Sequence, residues 1–259
     1  MNWLEPILGF VLVLLAASLM FVFALPNPAK KRSATPGAAA RFALRPIPAM
    51  QRLRRAIGLA VEDGSRLHVS IGKSSIISPY NGSALVGLST LERIGMLSSV
   101  SDRPPVTTSG DGTLALLSRD TLRAAYRISN VPELYDPIQA RLAGPTPFSF
   151  AVGTLPVIHD ERVSANILVG NFGPEIALML DAANREGSFT LAASDAFAAQ
   201  AVLYAAASAP LIGEELFAVP AYLQAGPIHQ AGLRVQDILR WLVIVALVVG
   251  AVLAFLGIL

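Results

Sequence analysis

The chain has 259 residues, of which 53% are hydrophobic and 15% charged, with 20 basic and 18 acidic side chains. An average soluble domain carries about 25% charged residues, so an ordinary cytosolic composition is excluded, and so is intrinsic disorder, which needs the opposite balance. With no cysteine, the chain cannot build a disulfide scaffold, a thiolate metal site, a cysteine nucleophile or a lipidated-cysteine anchor.

The excess apolarity sits at the two ends. Residues 7–25 form an uncharged run broken only by Gly9 and Ser18, with Trp3 just before it. At about 1.5 Å rise per residue the run just crosses a hydrocarbon core of roughly 30 Å, and indoles favour the membrane interface. Residues 1–25 are therefore expected to be a first transmembrane helix. A cleaved signal peptide fits less well, because the stretch before the run holds Glu5 and no basic side chain, and 23–26 is a poor cleavage site. Residues 26–48 follow with five prolines, and 26–55 hold Lys30, Lys31, Arg32, Arg41, Arg45, Arg52, Arg54 and Arg55 with no acid. The composition predicts an extended basic juxtamembrane linker. Lys30, Lys31, Arg32, Arg52, Arg54 and Arg55 are candidates for anionic lipid headgroups, or they serve only to orient the chain. Nucleic acid is not an expected partner, since the stretch lacks interleaved aromatics and a reading fold.

Residues 49–237 are expected to form one α/β domain. Alternation at Ile57, Leu59 and Val61, the turn at Asp63-Gly64, and renewed alternation at Leu67, Val69 and Ile71 predict an N-terminal β-hairpin. Apolar spacing predicts a helix over 83–96, a strand over 105–108 and a helix from Asp111 to about Ser129. Residues 131–147 read as a long loop. Strands are predicted over 148–158 and 163–170 with a turn between them, then a helix over 174–186, a strand over 189–193 and a helix over 195–207. A short strand over 210–212 and a helix over 214–224 complete the series. Successive strand-then-helix units imply right-handed crossovers and a largely parallel sheet with flanking helices.

Residues 241–259 form a second uncharged apolar run, broken by Gly250 and Gly257 and opening on Trp241. A second transmembrane helix is expected over 238–259, so the α/β domain lies between two terminal spans. Two spans are too few for a polytopic transporter. Positive charge marks the cytoplasmic side of a span. The basic linker, together with Arg234 and Arg240 before the second run, places the domain in the cytoplasm at a cell membrane and both termini at the outer face. The domain itself is acidic: residues 56–237 hold 11 basic and 17 acidic side chains, a net of −6.

The most motif-like stretch runs from Thr108 to Thr113. A turn containing Ser109, Gly110, Asp111, Gly112 and Thr113 that feeds a helix can cradle phosphate on backbone N–H groups. It resembles the Gly-Gly-Asp-Gly-Thr loop of NAD and diacylglycerol kinases, with Ser109 in place of the first glycine. The structural alternative is a tight turn in which Asp111 caps the helix. In a parallel sheet, ligands gather beyond the carboxyl ends of the strands, so Asn171, Gly173, Ser194 and Asp195 are further ligand-binding candidates. The same residue types cap helices. His68, His159 and His229 have no second ligand at metal spacing, and Gly-x-Ser-x-Gly, Walker A and Gly-x-Gly-x-x-Gly motifs are absent. No cofactor, metal or catalytic residue is therefore assigned.

The segments 83–88, 102–105, 109–113 and 212–217, in that order, resemble an uncharacterised family of bacterial membrane proteins with a domain of unknown function between terminal hydrophobic segments. The resemblance implies this architecture and supplies no catalytic residues. The function expected is a membrane-tethered cytoplasmic module: a non-catalytic scaffold, accessory subunit or sensor with a protein partner, or one that self-associates. The alternative is a nucleotide- or phosphometabolite-binding protein or enzyme working through Ser109–Thr113. Packing of the spans through Gly250 and Gly257 has weaker support, because their spacing is not Gly-x3-Gly.

Overall fold

The computed structural model describes residues 4–24, 44–77 and 81–256. Its internal contacts divide the chain into two units, Arg45–Ala225 and a second made of Met1–Leu44 with Gly226–Leu259. Helix α1 (Leu4–Ala24) belongs to the second unit.

The α/β unit opens with α2 (Pro48–Glu62), not with the first strand of a hairpin. Leu59 alternates with Ile57 in sequence but is 48% exposed, whereas Met50, Leu53, Ile57 and Ala60 are buried at helical spacing. Proline at the first helical position, where no intrahelical N–H is needed, reinforces the helix. The Asp63-Gly64 turn is real, with Gly64 at φ +61°, but it joins this helix to β1 (Arg66–Gly72). There follow α3 (Asn81–Leu97), β2 (Val106–Ser109) and α4 (Gly112–Ile128). The stretch read as a long loop contains two 3-10 turns, Pro132–Leu134 and Pro137–Gln139, and the short strand β3 (Ala140–Leu142).

The expected strand over 148–158 is helix α5 (Pro147–Asp160). A capping box between Thr146 and Ser149, with Pro147 at the first position, nucleates it. Phe150, Ala151, Thr154, Val157 and Ile158 are buried on one helical face. A short continuous apolar run has no period that separates helix from strand, and here the cap decides. The remaining elements follow the expected order: β4 (Val163–Asn171), α6 (Ile176–Arg185), β5 (Phe189–Ser194), α7 (Phe197–Ala206), β6 (Ala209–Leu211) and α8 (Glu215–Tyr222).

All six strands are parallel and form one sheet in the order β3-β2-β1-β4-β5-β6. Successive strands are added outward from β1 in one direction and outward from β4 in the other, so the sheet is doubly wound and has a topological switch point between them. Leu67, Val69, Ile71, Ala165, Ile167 and Val169 face the core under α2, α3, α4 and α8. Leu168 and Ala192 face the opposite core under α5, α6 and α7. Each buried Leu or Ile in these layers contributes about 1.5–3 kcal/mol relative to exposure.

The two ends of this unit meet. The Tyr222 hydroxyl donates to the Arg45 carbonyl, and the Arg54 guanidinium donates to the Tyr222 carbonyl. Arg52 Nη1 donates to the Ser208 carbonyl at 2.9 Å, and Arg93 Nε to the Leu223 carbonyl at 2.8 Å. Ser208 immediately precedes β6, so chain entry and exit both lie at the amino end of the sheet. After the unit comes α9 (Pro227–Phe255), 29 residues long. It is the one helix, among the described residues, long and apolar enough to cross a membrane, and none of its apolar window is buried. In α1 the corresponding apolar stretch, Gly9–Ala24, is shorter. Within their unit α1 and α9 pack against each other.

Candidate functional site

The carboxyl ends of β1, β2, β4 and β5 bring together the loops that sequence reasoning singled out, and add one that it missed. At the switch point Gly72 ends β1 at φ +78°, and a Cβ there would run into the Asn171 backbone. The glycine thus lets β1 and β4 close up, and the Lys73 N–H donates to the Asn171 carbonyl at 3.0 Å. Gly110 donates its N–H to the Gly72 carbonyl at 2.9 Å, and a Cβ at Gly110 would stand 2.8 Å from Lys73 Cβ. The Lys73 stem is therefore fenced between the β2 loop and the β4 loop.

Lys73 Nζ lies 2.7 Å from Glu175 Oε1, and the same oxygen accepts the Gly173 N–H at 2.9 Å. Burial by itself would push the Glu175 carboxyl up. The hydrogen bond from Lys73, backbone N–H groups and the nearby ammonium outweigh it and hold the group below its ordinary value. Beside Lys73, Ser74 is 8% exposed, and its hydroxyl has no hydrogen-bond partner among the described residues.

The sequence-predicted candidates fall around this centre. Asn171 Nδ2 donates to Asp195 Oδ1 at 2.7 Å. Ser194 Oγ accepts the Phe172 N–H at 3.1 Å and so ties β5 to the β4 loop. Asp111 Oδ1 accepts the Leu114 N–H at 3.0 Å and caps α4. This cap takes the Leu114 N–H, one of the first-turn donors that a phosphate at the Ser109–Thr113 turn would otherwise use. Gly112 and Thr113 are exposed in the first turn of α4. Of the basic candidates, Arg52 and Arg54 hold backbone carbonyls at the amino end of the sheet, and Arg55 is exposed on α2. Lys30, Lys31 and Arg32 lie outside the described residues.

Sequence reasoning singled out none of Lys73, Ser74 and Glu175 as site residues. One signal was available: Lys73 is the sole lysine after Lys31, in a chain that otherwise uses arginine. The histidines do not converge. His68 is buried in the sheet, His159 pairs with Glu186 at 2.8 Å, and His229 lies on α9. Among the described residues no group of three or more His, Cys, Asp or Glu side chains is placed to hold a metal ion.

Fold and site together define a doubly wound α/β domain whose switch point holds a half-buried lysine paired with a buried glutamate, continued by a helix of membrane-spanning length. The chain belongs to the family described as a domain of unknown function (DUF6754), whose model matches residues 7–259. Among curated proteins and among solved structures nothing matches the chain.

Proposed function

We propose that the protein is a membrane-tethered module whose α/β domain works at the cytoplasmic face as a non-catalytic scaffold, accessory subunit or sensor. The observation that carries this reading is the direct continuation of the domain into α9. The apolar α1 supplies the second anchor, and entry and exit of the domain lie together, as a domain set between two adjacent spans requires. The eight basic side chains of 26–55 put the domain on the positive, cytoplasmic side, with the distal ends of both spans outside. The bilayer is the first partner, with anionic headgroups available to the linker.

A protein partner is supported by α7, where Phe197 and Tyr204 are 88% and 78% exposed seven residues apart, and so share a helix face. The topology test is a pair of reporters fused after residue 140. A reporter active only in the cytoplasm should work there, and one active only after export should be silent. Activity of the export-only reporter would overturn the placement. For the partner, a photocrosslinking residue at position 197 should give a discrete adduct in membranes that the same residue at exposed position 181 does not give. Equal labelling from both positions removes the support.

The alternative, a nucleotide or phosphometabolite site at Ser109–Thr113, is weakened by the Asp111 cap. Among the described residues no arrangement of side chains around that turn favours it over capping.

A further inference from the structure

Six arginines of the α/β unit are held by the fold itself: Arg66, Arg141 and Arg185 pair with carboxylates, and Arg52, Arg54 and Arg93 hold backbone carbonyls. Arg119, Arg123 and Arg127 on α4 differ. All three are exposed, and among the described residues none of them forms an ion pair. They stand one helical turn apart, at about 6 Å, along one wall of an open groove of about 1070 Å³. Like charges at this spacing destabilise a helix, and only Arg127, in the last turn, is favoured by the helix dipole. The opposite wall is preformed. Tyr135 donates its hydroxyl to the Arg119 carbonyl at 3.1 Å, and its ring lies tilted against Tyr126 at 6.1 Å. Leu116, 62% exposed about one turn before Arg119, extends the row with an apolar position.

We infer that this groove binds an extended acidic segment of a partner protein, with carboxylates at alternate positions seated on the three arginines. Alternate side chains of an extended peptide project to one side about 6.6 Å apart, close to the spacing of the arginines. The row from Leu116 to Arg127 is about 16 Å long, the reach of about five extended residues. Each guanidinium can take a carboxylate through two parallel hydrogen bonds. Charge decides between an acidic peptide and a nucleic acid. Residues 56–237 carry a net charge of −6, so a polyanion running on past the groove meets a repelling surface, whereas a short acidic segment ends within it. Single strands are gripped by stacking successive bases on aromatic rings, and the one aromatic lining the groove, Tyr135, already packs against Tyr126. The inference rests neither on the membrane reading nor on the exposed face of α7, and the reporter fusions could fail without touching it.

The test uses the full chain in detergent and the fluorescein-labelled peptide Leu-Ser-Glu-Ser-Glu-Ser-Glu, read by fluorescence anisotropy. The peptide should bind, and the same peptide with glutamine for glutamate should not. Arg119→Gln, Arg123→Gln and Arg127→Gln should each weaken binding about threefold, and all three together about thirtyfold, the scale of exposed ion pairs. Arg55→Gln, on the exposed side of α2, should change it by less than about twofold. An acidic peptide that does not bind the unsubstituted chain overturns the inference. Binding that survives the triple substitution but is lost on replacing Lys30, Lys31 and Arg32 by glutamine belongs to the linker and overturns it as well. Equal or tighter binding of a six-nucleotide oligothymidylate makes the groove a nucleic-acid site and removes the acidic peptide as its occupant. Should the triple variant fail to fold, Arg123→Gln alone decides, and an unchanged affinity refutes the groove.

Discussion

His68 sits fully buried in the middle of the sheet, and its neighbours set its protonation state. Its Nδ1 lies 2.9 Å from Asn166 Oδ1 and its Nε2 2.8 Å from Thr108 Oγ1. Asn166 Nδ2 donates to Ser188 Oγ at 2.8 Å, and Ser188 Oγ donates to the Ala183 carbonyl at 3.0 Å. The Asn166 oxygen can only accept, so Nδ1 carries the proton, while Thr108 Oγ1 beside Nε2 also donates to Ser70 Oγ at 3.1 Å. From Nδ1 the donors run one way through Asn166 and Ser188 to the Ala183 carbonyl. Burial accordingly lowers His68 from 6.5 to about 4, against a smaller opposing contribution from the Asn166 hydrogen bond. Between those values the unfolded chain binds the extra proton and the folded one does not. The stabilisation is thus complete above pH 6.5 and is lost as pH falls towards 4.

The expected loss is on the order of 3 kcal/mol, at about 1.4 kcal/mol per pH unit, read by chemical denaturation of the full chain in detergent at pH 7 and pH 4.5. His68→Leu should flatten that dependence and lower stability at pH 7 by about 2–4 kcal/mol, because Asn166 and Thr108 lose their partner. An unchanged slope in the variant would assign the acid sensitivity elsewhere. Glu175, whose carboxyl is held low, adds a loss in the same direction below its ordinary value near 4.5. None of this was legible in the sequence. The sequence shows Leu67, Val69 and Ile71 alternating through one arm of an expected hairpin, with His68 and Ser70 between them and nothing to say what covers the second face. In the fold α5 covers that face, which the sequence hides because the run that becomes α5 reads as a strand.

Among the elements, legibility followed the strength of the local signal. From β4 onward each strand and helix has its own apolar period and its own turn, and the expected order stands to within two or three residues. Besides the short β3 inside the expected loop, two segments are misread, α2 and α5, and both carry apolar residues compatible with either period. What decides them is a proline at the first helical position in each, with a capping box in the second. Strand order lies beyond such reasoning, since it depends on which crossover reverses direction. The switch point and the Lys73–Glu175 pair could therefore not be seen.

Glycine substitutions test the packing of these elements. At Gly170 in β4 a Cβ would stand 2.6 Å from the Ile71 carbonyl carbon in β1, and backbone has little room to yield. Gly170→Ala should cost about 1–3 kcal/mol, as overpacking does. Gly58, inside α2, has nothing within 4 Å of a new Cβ, and Gly58→Ala should gain about 0.5–1 kcal/mol through helix propensity. Thermal melting of the two variants, with shifts of opposite sign, checks the register of β1 on β4 and the helical state of residues 48–62 together. A Gly58→Ala protein that melts lower would speak for the hairpin instead.

For the whole molecule, the contact between entry and exit has a further consequence. Tyr222 joins the last helix of the α/β unit to the carbonyl of its first residue, Arg45, and Arg54 locks the same helix end. A segment whose two ends lie within reach of one tyrosine side chain makes little demand on the spacing of whatever it is spliced into. Residues 45–225 should thus behave as an interchangeable cassette. Grafted into a surface loop of an unrelated soluble host, they should leave both host and insert folded, as judged by two separate melting transitions. Joined end to end by a short linker and reopened at the exposed Gly187 turn, they should yield a circular permutant with the same sheet. In such terms the architecture is a plug-in unit: lineages could exchange the helices that hold it, or the unit they hold, without rebuilding the other.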